Sequence, residues 1–590
     1  MNGVGGRPEV RHSVALLLVL AVLLAFGGRL TYIQAYAGAK LAQEARRDRL
    51  DTSVTEAPRG QILDANGVVL ASSVRSVDVI VDLTQIPDFV HAPQGGEPSY
   101  GAVAAARLLA PILEEDEREL GARLVGERRY YRLARSVTPS DWREIRALGI
   151  GGVTPEYRTQ RVYPAGNTAG NVVGFVNSQG GAAGLEFALD DLLTGEDGEI
   201  TAEIGYRGQV IPTGYQSLVE AVPGGDVHLT IDRDLQWAAQ VSVDETVARY
   251  GAQWGAAVVI EIGTARVLAL ADSGAVDPND PGATEPESWG SRAVQNVYEP
   301  GSTGKVATLA AAIEEGLVEP TTVFTVPYQY RTENGQVITN HSPHPTWDRT
   351  VAGILAESSN TGTVMIGQMM SDQTRYDYLR AFGLGESTGL GLPGESRGIL
   401  HAPEDWDGRT RYTTMFGQGL AVNLVQNTGV LATLGNGGVH VTPRIVDGFT
   451  DPDGTYRAAE PGEQTQVVSR ETAQQMIRMM ESVVEDGTGK RAAINGYRVA
   501  GKTGTAQVAD GAGGITATVA SFVGLAPAEA PRIAIGVVVY KPTSGFYGGT
   551  IAAPIFHDVG SFALQTLGVA PSTQAADPYP LSPDDPRATN

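Results

Sequence analysis

Glu299-Pro-Gly-Ser-Thr-Gly-Lys305, leading into Val306-Ala-Thr-Leu-Ala-Ala-Ala-Ile-Glu-Glu-Gly316, is the stretch on which the reading of this 590-residue chain turns. Its alanines and leucine predict a helix over 303–315, with Pro300-Gly301 before it and Gly316 as its stop. That seats Ser302 at the helix start and Lys305 one turn further on the same face. A serine hydroxyl is a poor nucleophile until a base takes its proton, and a lysine serves if burial or a nearby cation lowers its pKa. Helix-terminal N–H groups add a place for developing negative charge. The plainer alternative is a capping serine beside a surface lysine. Against it, this is the only Ser-x-x-Lys in the chain, and the helix is too apolar to be exposed all round.

Working outward, Glu357-Ser-Ser-Asn-Thr-Gly362 is expected as a loop between a helix ending near Ala356 and another starting at Thr363. Ser358 and Asn360, two apart, can then face one cleft; alone, the segment equally suits a capping loop. Val499-Ala-Gly-Lys-Thr-Gly-Thr-Ala-Gln507 reads as a strand. Alternation puts Lys502 and Gly504 on one face and Thr503 and Thr505 on the other. A glycine there would let a ligand backbone approach the strand; an ordinary threonine-bearing strand is the alternative. The chain has only five lysines, Lys40, Lys305, Lys490, Lys502 and Lys541, and two of them fall in these motifs.

Composition narrows the function classes. With 44 Lys+Arg against 67 Asp+Glu the net charge is −23, which argues against a nucleic-acid partner. The absence of cysteine excludes disulfides, thiolate nucleophiles, Fe–S clusters and cysteine-ligated zinc, and leaves the redox compartment open. A hydrophobic share of 42% with 19% charged residues is that of a folded protein, and the length suggests two to four domains. Near the start, Val14 to Phe26 is uninterrupted and apolar; extended from Ser13 to Ile33 it is long enough for a membrane anchor. A cleaved signal peptide with Ala35-Tyr36-Ala37 as its processing site is the rival. Either reading exports the bulk of the chain. Residues 35–50 read as a polar helix. Asn66-Gly67 marks a hairpin, helices are expected over 103–123 and 139–147, and Pro223-Gly224-Gly225 is the clearest internal boundary. The 571–590 segment, rich in Pro, Ser and Asp, is expected to be disordered.

Two motifs mislead. Gly496 to Thr503 matches the P-loop pattern, but the residues after Lys502 and Thr503 cannot open the helix that phosphate binding needs. Gly385-Glu-Ser-Thr-Gly389 matches a nucleophile elbow but runs into Leu-Gly-Leu-Pro393 and reads as a loop. His341 and His344 lack a third ligand in register and read as loop residues, so no metal and no cofactor is expected.

Ser-x-x-Lys, Ser-x-Asn and Lys-Thr-Gly in that order are the motif set of the penicillin-recognising serine enzymes. The chain resembles, over nearly its whole length, the class B penicillin-binding proteins, monofunctional peptidoglycan D,D-transpeptidases. Arg59-Gly60 with Asp64-x-Asn66-Gly67, Arg161-Val-Tyr-Pro164, Gly174-Phe-Val176 and Gly184-Leu-Glu186 resemble the family's pedestal. Leu229-Thr-Ile-Asp232, Phe416-Gly-Gln-Gly419 and Ala552-Ala-Pro-Ile-Phe556 resemble its catalytic domain. The resemblance implies an α+β protein: a cytoplasmic tail (1–12), a transmembrane anchor (13–34), and an elongated, mostly-β pedestal or dimerisation domain (35–222). A transpeptidase domain with an antiparallel sheet flanked by helices (223–570) and the disordered tail (571–590) would complete it. The resemblance also implies an acyl-enzyme on Ser302, Lys305 as general base, Ser358 as proton relay and Lys502 tuning the pair. Asn360, Thr503, Gly504 and Thr505 would bind the substrate, with the N–H groups of Ser302 and Thr505 as oxyanion hole. Two departures stand out: Gly304, where a bulky residue is frequent, is expected to loosen the first turn, and Asn340 replaces a common acid. Implied partners are stem peptides of a lipid-linked precursor polymer, a SEDS-type glycosyltransferase, divisome membrane proteins, and β-lactams as inhibitors. The expected location is the cell membrane, single-pass, with the catalytic domain outside the cytoplasm. The lack of long insertions before residue 220 and the Phe416–Val422 stretch favour the septal over the elongation type. A β-lactamase or carboxypeptidase, a penicillin sensor and an idle scaffold remain as alternatives.

Overall fold

A computed structural model describes residues 8–37, 40, 43, 47, 49–92, 96–205, 211–509 and 515–589. The chain divides into two compact units. One comprises Met1–Pro58, Val77–Arg158 and Glu196–Val222, the other Arg59–Ser76, Thr159–Gly195 and Pro223–Asn590.

In the first unit the N-terminal helix runs over Pro8–Thr31 and continues as a π-turn over Tyr32–Ala37. It therefore starts five residues before the expected anchor, none of its described side chains is buried, and it is long and apolar enough to cross a membrane. Of the polar helix expected over 35–50, half lies outside the described residues, and Leu50 already begins a strand. Leu50–Thr55, Gly198–Glu203 and Gln216–Val219 form an antiparallel sheet. The expected helical stretches appear as Gly101–Leu113, Glu117–Arg123 and Pro139–Ala147, the last two capped by Asp116 and Thr138. Leu109, Leu120, Trp142 and Ile145 pack on Val77, Val79, Val81 and Leu133 to give this unit its own core.

The second unit is built on a five-stranded antiparallel sheet. Its spatial order is Val267–Asp272, Trp254–Glu261, Ile533–Tyr540, Ile515–Ala526 and Ala500–Ala509. Side chains alternate as the pleat requires: Ala520 and Phe522 join the core beneath the helices Arg233–Tyr250 and Gly548–Thr566. Val523 and Leu525 join the core of Lys305–Glu314 and Arg470–Glu485 on the other face. Helices therefore cover both faces of the sheet, as its apolar strands demand.

The segment expected as one pedestal, 35–222, is thus divided, because 59–76 and 159–195 belong to the catalytic unit. Ile62–Leu63 pairs in parallel with Val227 and His228, and a Cβ on Gly60 would lie 1.9 Å from the Gly225 carbonyl oxygen. The bond across these segments is ionic: the fully buried Glu186 receives Arg59 Nε at 2.6 Å and Arg161 Nε at 2.7 Å. Arg161 Nη1 also donates to the Gly60 carbonyl at 2.7 Å. The 571–589 segment departs from expectation too, since it is laid against the catalytic unit: Leu581 O accepts from Thr350 N at 3.1 Å. A proline-rich stretch lacks the periodicity that signals packing, yet it can dock through carbonyls and a few side chains.

Breaking a buried ion pair from one side leaves uncompensated charge, which typically costs about 3–5 kcal/mol. Glu186→Gln, whose amide would face guanidinium donors, is expected to lower the melting temperature by several degrees in a thermal scan. An unchanged melting temperature would remove the cluster from its structural role.

Candidate active site

Ser302 sits in a 3-10 turn, Gly301–Gly304, and the α-helix begins only at Lys305, two residues later than the pattern predicts. The turn is entered through Gly301 at φ +56°, a left-handed conformation that suits glycine. It is pinned from below: Gly301 N donates to Gly417 O at 2.8 Å, and Thr303 Oγ1 donates to Asn427 Oδ1 at 3.0 Å. Asn427 in turn donates to the Tyr298 hydroxyl at 3.0 Å. Gly304 does not loosen this turn. A Cβ there would lie 2.7 Å from Gly417 Cα, so the two backbones are in contact and the missing side chain is what allows it.

Helix Val351–Ala356 delivers Ser358, which adopts φ +61°, a strained conformation for a serine costing about 1–3 kcal/mol. Its neighbour Ser359 caps the next helix, and Asn360 is that helix's first residue rather than a loop residue. Asn340 fastens the segment: its Oδ1 accepts from Ser359 Oγ at 3.1 Å and Thr361 N at 3.0 Å, while its Nδ2 donates to Thr361 Oγ1 at 3.0 Å. A carboxylate could make the first two bonds but not the third. Asn360 Nδ2 donates to the Thr339 carbonyl at 3.1 Å.

Both motif lysines are fully buried. Lys305 Nζ donates to Ser358 O at 2.5 Å and reaches its Oγ at 3.2 Å; Lys502 Nζ reaches the same Oγ at 3.0 Å and the Thr503 carbonyl at 3.2 Å. One hydroxyl therefore takes two amines. Burial, and then the charge of Lys502, drive the Lys305 amine well below its ordinary range. Burial alone brings Lys502 down to about 7. Both shifts weaken the hold of the amines on a proton.

On the strand, Thr503, Thr505 and Gln507 face a cleft of about 1350 Å³ that Ser302, Ser358 and Asn360 also line. Gly504 does not face it. Its missing side chain points the other way, where a Cβ would lie 2.2 Å from Ser521 Oγ and 2.9 Å from Pro300 O. It serves close packing of the Ser302 turn on the strand, not the approach of a ligand. The strand runs on as Ala500–Ala509, so no helix succeeds the P-loop-like letters. His341 and His344 border the cleft, the first bonded to the Tyr547 hydroxyl at 3.0 Å and the second stacked on Trp347. Among the described residues no group of three or more His, Asp or Glu is placed to hold a metal ion. Thr488, whose Oγ1 bonds Thr503 Oγ1 at 2.7 Å, Asn427 and Tyr298 belong to the site without a local signal to mark them. Only the adjacency of Tyr298 to the Glu299–Lys305 motif pointed their way.

Comparison with known proteins agrees with this geometry. Residues 255–560 match the penicillin binding protein transpeptidase domain, and residues 54–229 match the penicillin-binding protein dimerisation domain. Penicillin-binding protein PbpB of Mycolicibacterium smegmatis is 35% identical over 97% of this chain and 91% of its own length. Peptidoglycan D,D-transpeptidase FtsI of Escherichia coli is 33% identical over 94% of this chain and 91% of its own. The crystal structure of penicillin binding protein 3 from Mycobacterium tuberculosis complexed with aztreonam superposes with a TM-score of 0.69 at 29% identity, covering 90% of this chain and 100% of that one. A transpeptidase domain preceded by a dimerisation domain, in relatives matched almost end to end, places the chain in the class B penicillin-binding proteins, the peptidoglycan D,D-transpeptidase family.

Proposed function

We propose that this chain cross-links peptidoglycan stem peptides through an ester on Ser302, in septal wall synthesis. The observation that carries this reading is the pair of fully buried lysines converging on Ser358 beside Ser302 in one cleft. Ser302 Oγ attacks the carbonyl of the penultimate D-Ala, and its proton passes to the neutral Lys305 amine. The amide C–N bond breaks, and the proton reaches the leaving D-Ala amine by way of Ser358. An acceptor amine then attacks the ester carbonyl and forms the new amide, the C–O bond to Ser302 breaks, and a proton of the acceptor amine passes to Ser302 Oγ, so the cycle closes without a cofactor. Thr503 and Thr505 present hydroxyls to the terminal carboxylate, Asn360 presents its amide to the donor peptide, and the N–H groups of Ser302 and Thr505 receive the oxyanion. A β-lactam enters the same sequence, its ring amide opening onto Ser302.

The N-terminal helix supports a single-pass anchor with the catalytic unit outside the cytoplasm. Neither matched domain is a glycan polymerase, which supports a partnership with a membrane glycosyltransferase of the SEDS type and with other division proteins. The relatives named FtsI and PbpB favour the septal assignment.

Membranes bearing the wild-type chain are expected to take up a fluorescent penicillin as a long-lived covalent label, and Ser302→Ala to abolish it. Label persisting in the variant would sink the assignment of Ser302, and label lost within minutes from the wild type would mark a β-lactamase instead.

The acylation rate should fall as pH drops through the Lys305 titration, because the protonated amine cannot accept a proton. Below about 7 Lys502 is charged and holds the Lys305 pKa down. Lys502→Met removes that like charge, so the acid limb of the pH–rate profile is expected to move to higher pH, whatever the plateau rate. A limb that stays put or moves lower would remove Lys502 from this electrostatic role.

A further inference from the structure

Residues 571–589 hold five prolines, Pro571, Pro578, Pro580, Pro583 and Pro586. The segment forms no strand or α-helix, yet it meets the catalytic unit at three places. At the first, Ser572 N donates to Gly496 O at 2.8 Å and Ser572 Oγ accepts from Arg498 N at 2.9 Å. Next, Arg478 pairs with Asp577 at 2.7 Å and covers the Tyr579 ring at 4.1 Å. Arg587 then pairs with Asp486 at 2.7 Å, on the same helix as Arg478 and just past its end. The third contact is made through the backbone of the segment. Thr350 donates through Oγ1 to Pro580 O at 2.6 Å and through N to Leu581 O at 3.1 Å. One turn on, a Cβ at Gly353 would lie 2.0 Å from Leu581 O, so the helix carries a glycine where the segment crosses it.

Each place lies a few residues from a cleft group. Thr350 and Gly353 belong to the helix Val351–Ala356 and its cap, which lead to Ser358. Asp486 precedes Gly487, where a Cβ would lie 2.5 Å from Ala356 O, and Thr488, which bonds Thr503. Arg498 precedes the strand that carries Lys502. Five prolines restrict the undocked segment, so less conformational entropy is lost when it docks. Its exposed ion pairs contribute modestly. The bonds from Arg478 to the Asp577 carbonyl and from Thr350 to the Pro580 and Leu581 carbonyls, with the fit over Gly353, therefore do most to hold it.

We propose that residues 571–589 are a strap that positions the Ser358 loop, Thr488 and the Lys502 strand for acylation, a role that rests on Ser302 being the acylated nucleophile. Thr350, Gly353 and Leu581 act through the helix that carries Ser358, and none of them touches substrate. A displacement of the reacting groups by about 1 Å costs on the order of a hundredfold in rate. Loss of the strap is therefore expected to lower the rate constant at saturating penicillin by about tenfold or more, with the dissociation constant of the non-covalent complex little changed.

The test compares four proteins: the full chain, Gly353→Ala in the full chain, a chain ending at Ala570, and that shorter chain with Gly353→Ala. Acylation by a fluorescent penicillin is followed well below each melting temperature. In the full chain Gly353→Ala should slow acylation and lower the melting temperature, because the methyl group displaces the strap. In the shorter chain the same change should raise the melting temperature, since alanine is then simply the better helix former. A synthetic 571–589 peptide should restore the rate of the shorter chain with Gly353 but not of its alanine variant. Wild-type rates in both the shorter chain and full-length Gly353→Ala would overturn the positioning role. A melting temperature lowered equally in both backgrounds would overturn docking at Gly353. Absence of label in the wild type would instead strike the assignment of Ser302, while the reversal in melting temperature would still report the docked strap.

Discussion

Two lysine amines removed from water around one serine hydroxyl, with no acidic side chain among their hydrogen-bond partners in the described residues, form the constraint to which the rest of the catalytic unit answers. A buried ammonium is costly unless paired, and the usual partner would be a carboxylate. Here burial lowers the proton affinity of both amines, assisted at Lys305 by the like charge of its neighbour. A carboxylate in the pocket would stabilise the charged amine and so remove the base. The site therefore needs uncharged acceptors, and Ser358 and the Thr503 carbonyl are what the chain provides. Holding Ser358 where both amines reach it forces its left-handed backbone, and that conformation persists because the helices on either side and Asn340 leave it no freedom.

The same constraint explains why the site draws on distant parts of the chain. Ser302 and Lys305 arrive on a turn and helix, Ser358 between two further helices, and Lys502 on the edge strand of the central sheet. Placing their side chains to within a fraction of an ångström requires rigid supports. The sheet, with helices on both faces, is such a support, and close glycine contacts bring the serine turn down onto it.

Much of this was legible in the sequence because local chemistry carries it. The order of the three motifs, the rarity of lysine and the apolar helix after Ser302 pointed to the segments that the fold brings to one cleft. The alternation in 500–507 correctly separated Lys502 from Thr503 and Thr505. What was not legible depends on contacts between residues far apart. Asn427 and Thr488 have unremarkable neighbours in sequence and gain meaning only from what they bond. Gly504 packs on Ser521 and Pro300 instead of receiving a ligand, because strand periodicity gives a side but not what lies there. The assignment of 59–76 and 159–195 to the catalytic unit rests on Glu186 joining Arg59 to Arg161 and on Ile62 and Leu63 pairing with Val227 and His228, partners far apart on the chain. The 571–589 segment reads as disordered because its composition describes an isolated chain, whereas docking depends on Thr350 and a glycine over two hundred residues earlier.

The backbone contact beneath the serine turn has an evolutionary side. Gly301, Gly304 and Gly417 meet so closely that any side chain added at Gly304 or Gly417 would collide with main-chain atoms, which have no rotamer to escape into. The floor of the cleft is therefore closed to substitution, since a side chain added there would displace the turn that carries Ser302. Variation has to be found in the walls, where residues such as Tyr547, His341 and Gln507 present side chains that can change without moving the backbone. The cleft thus joins a base fixed by main-chain contact to a rim built of side chains.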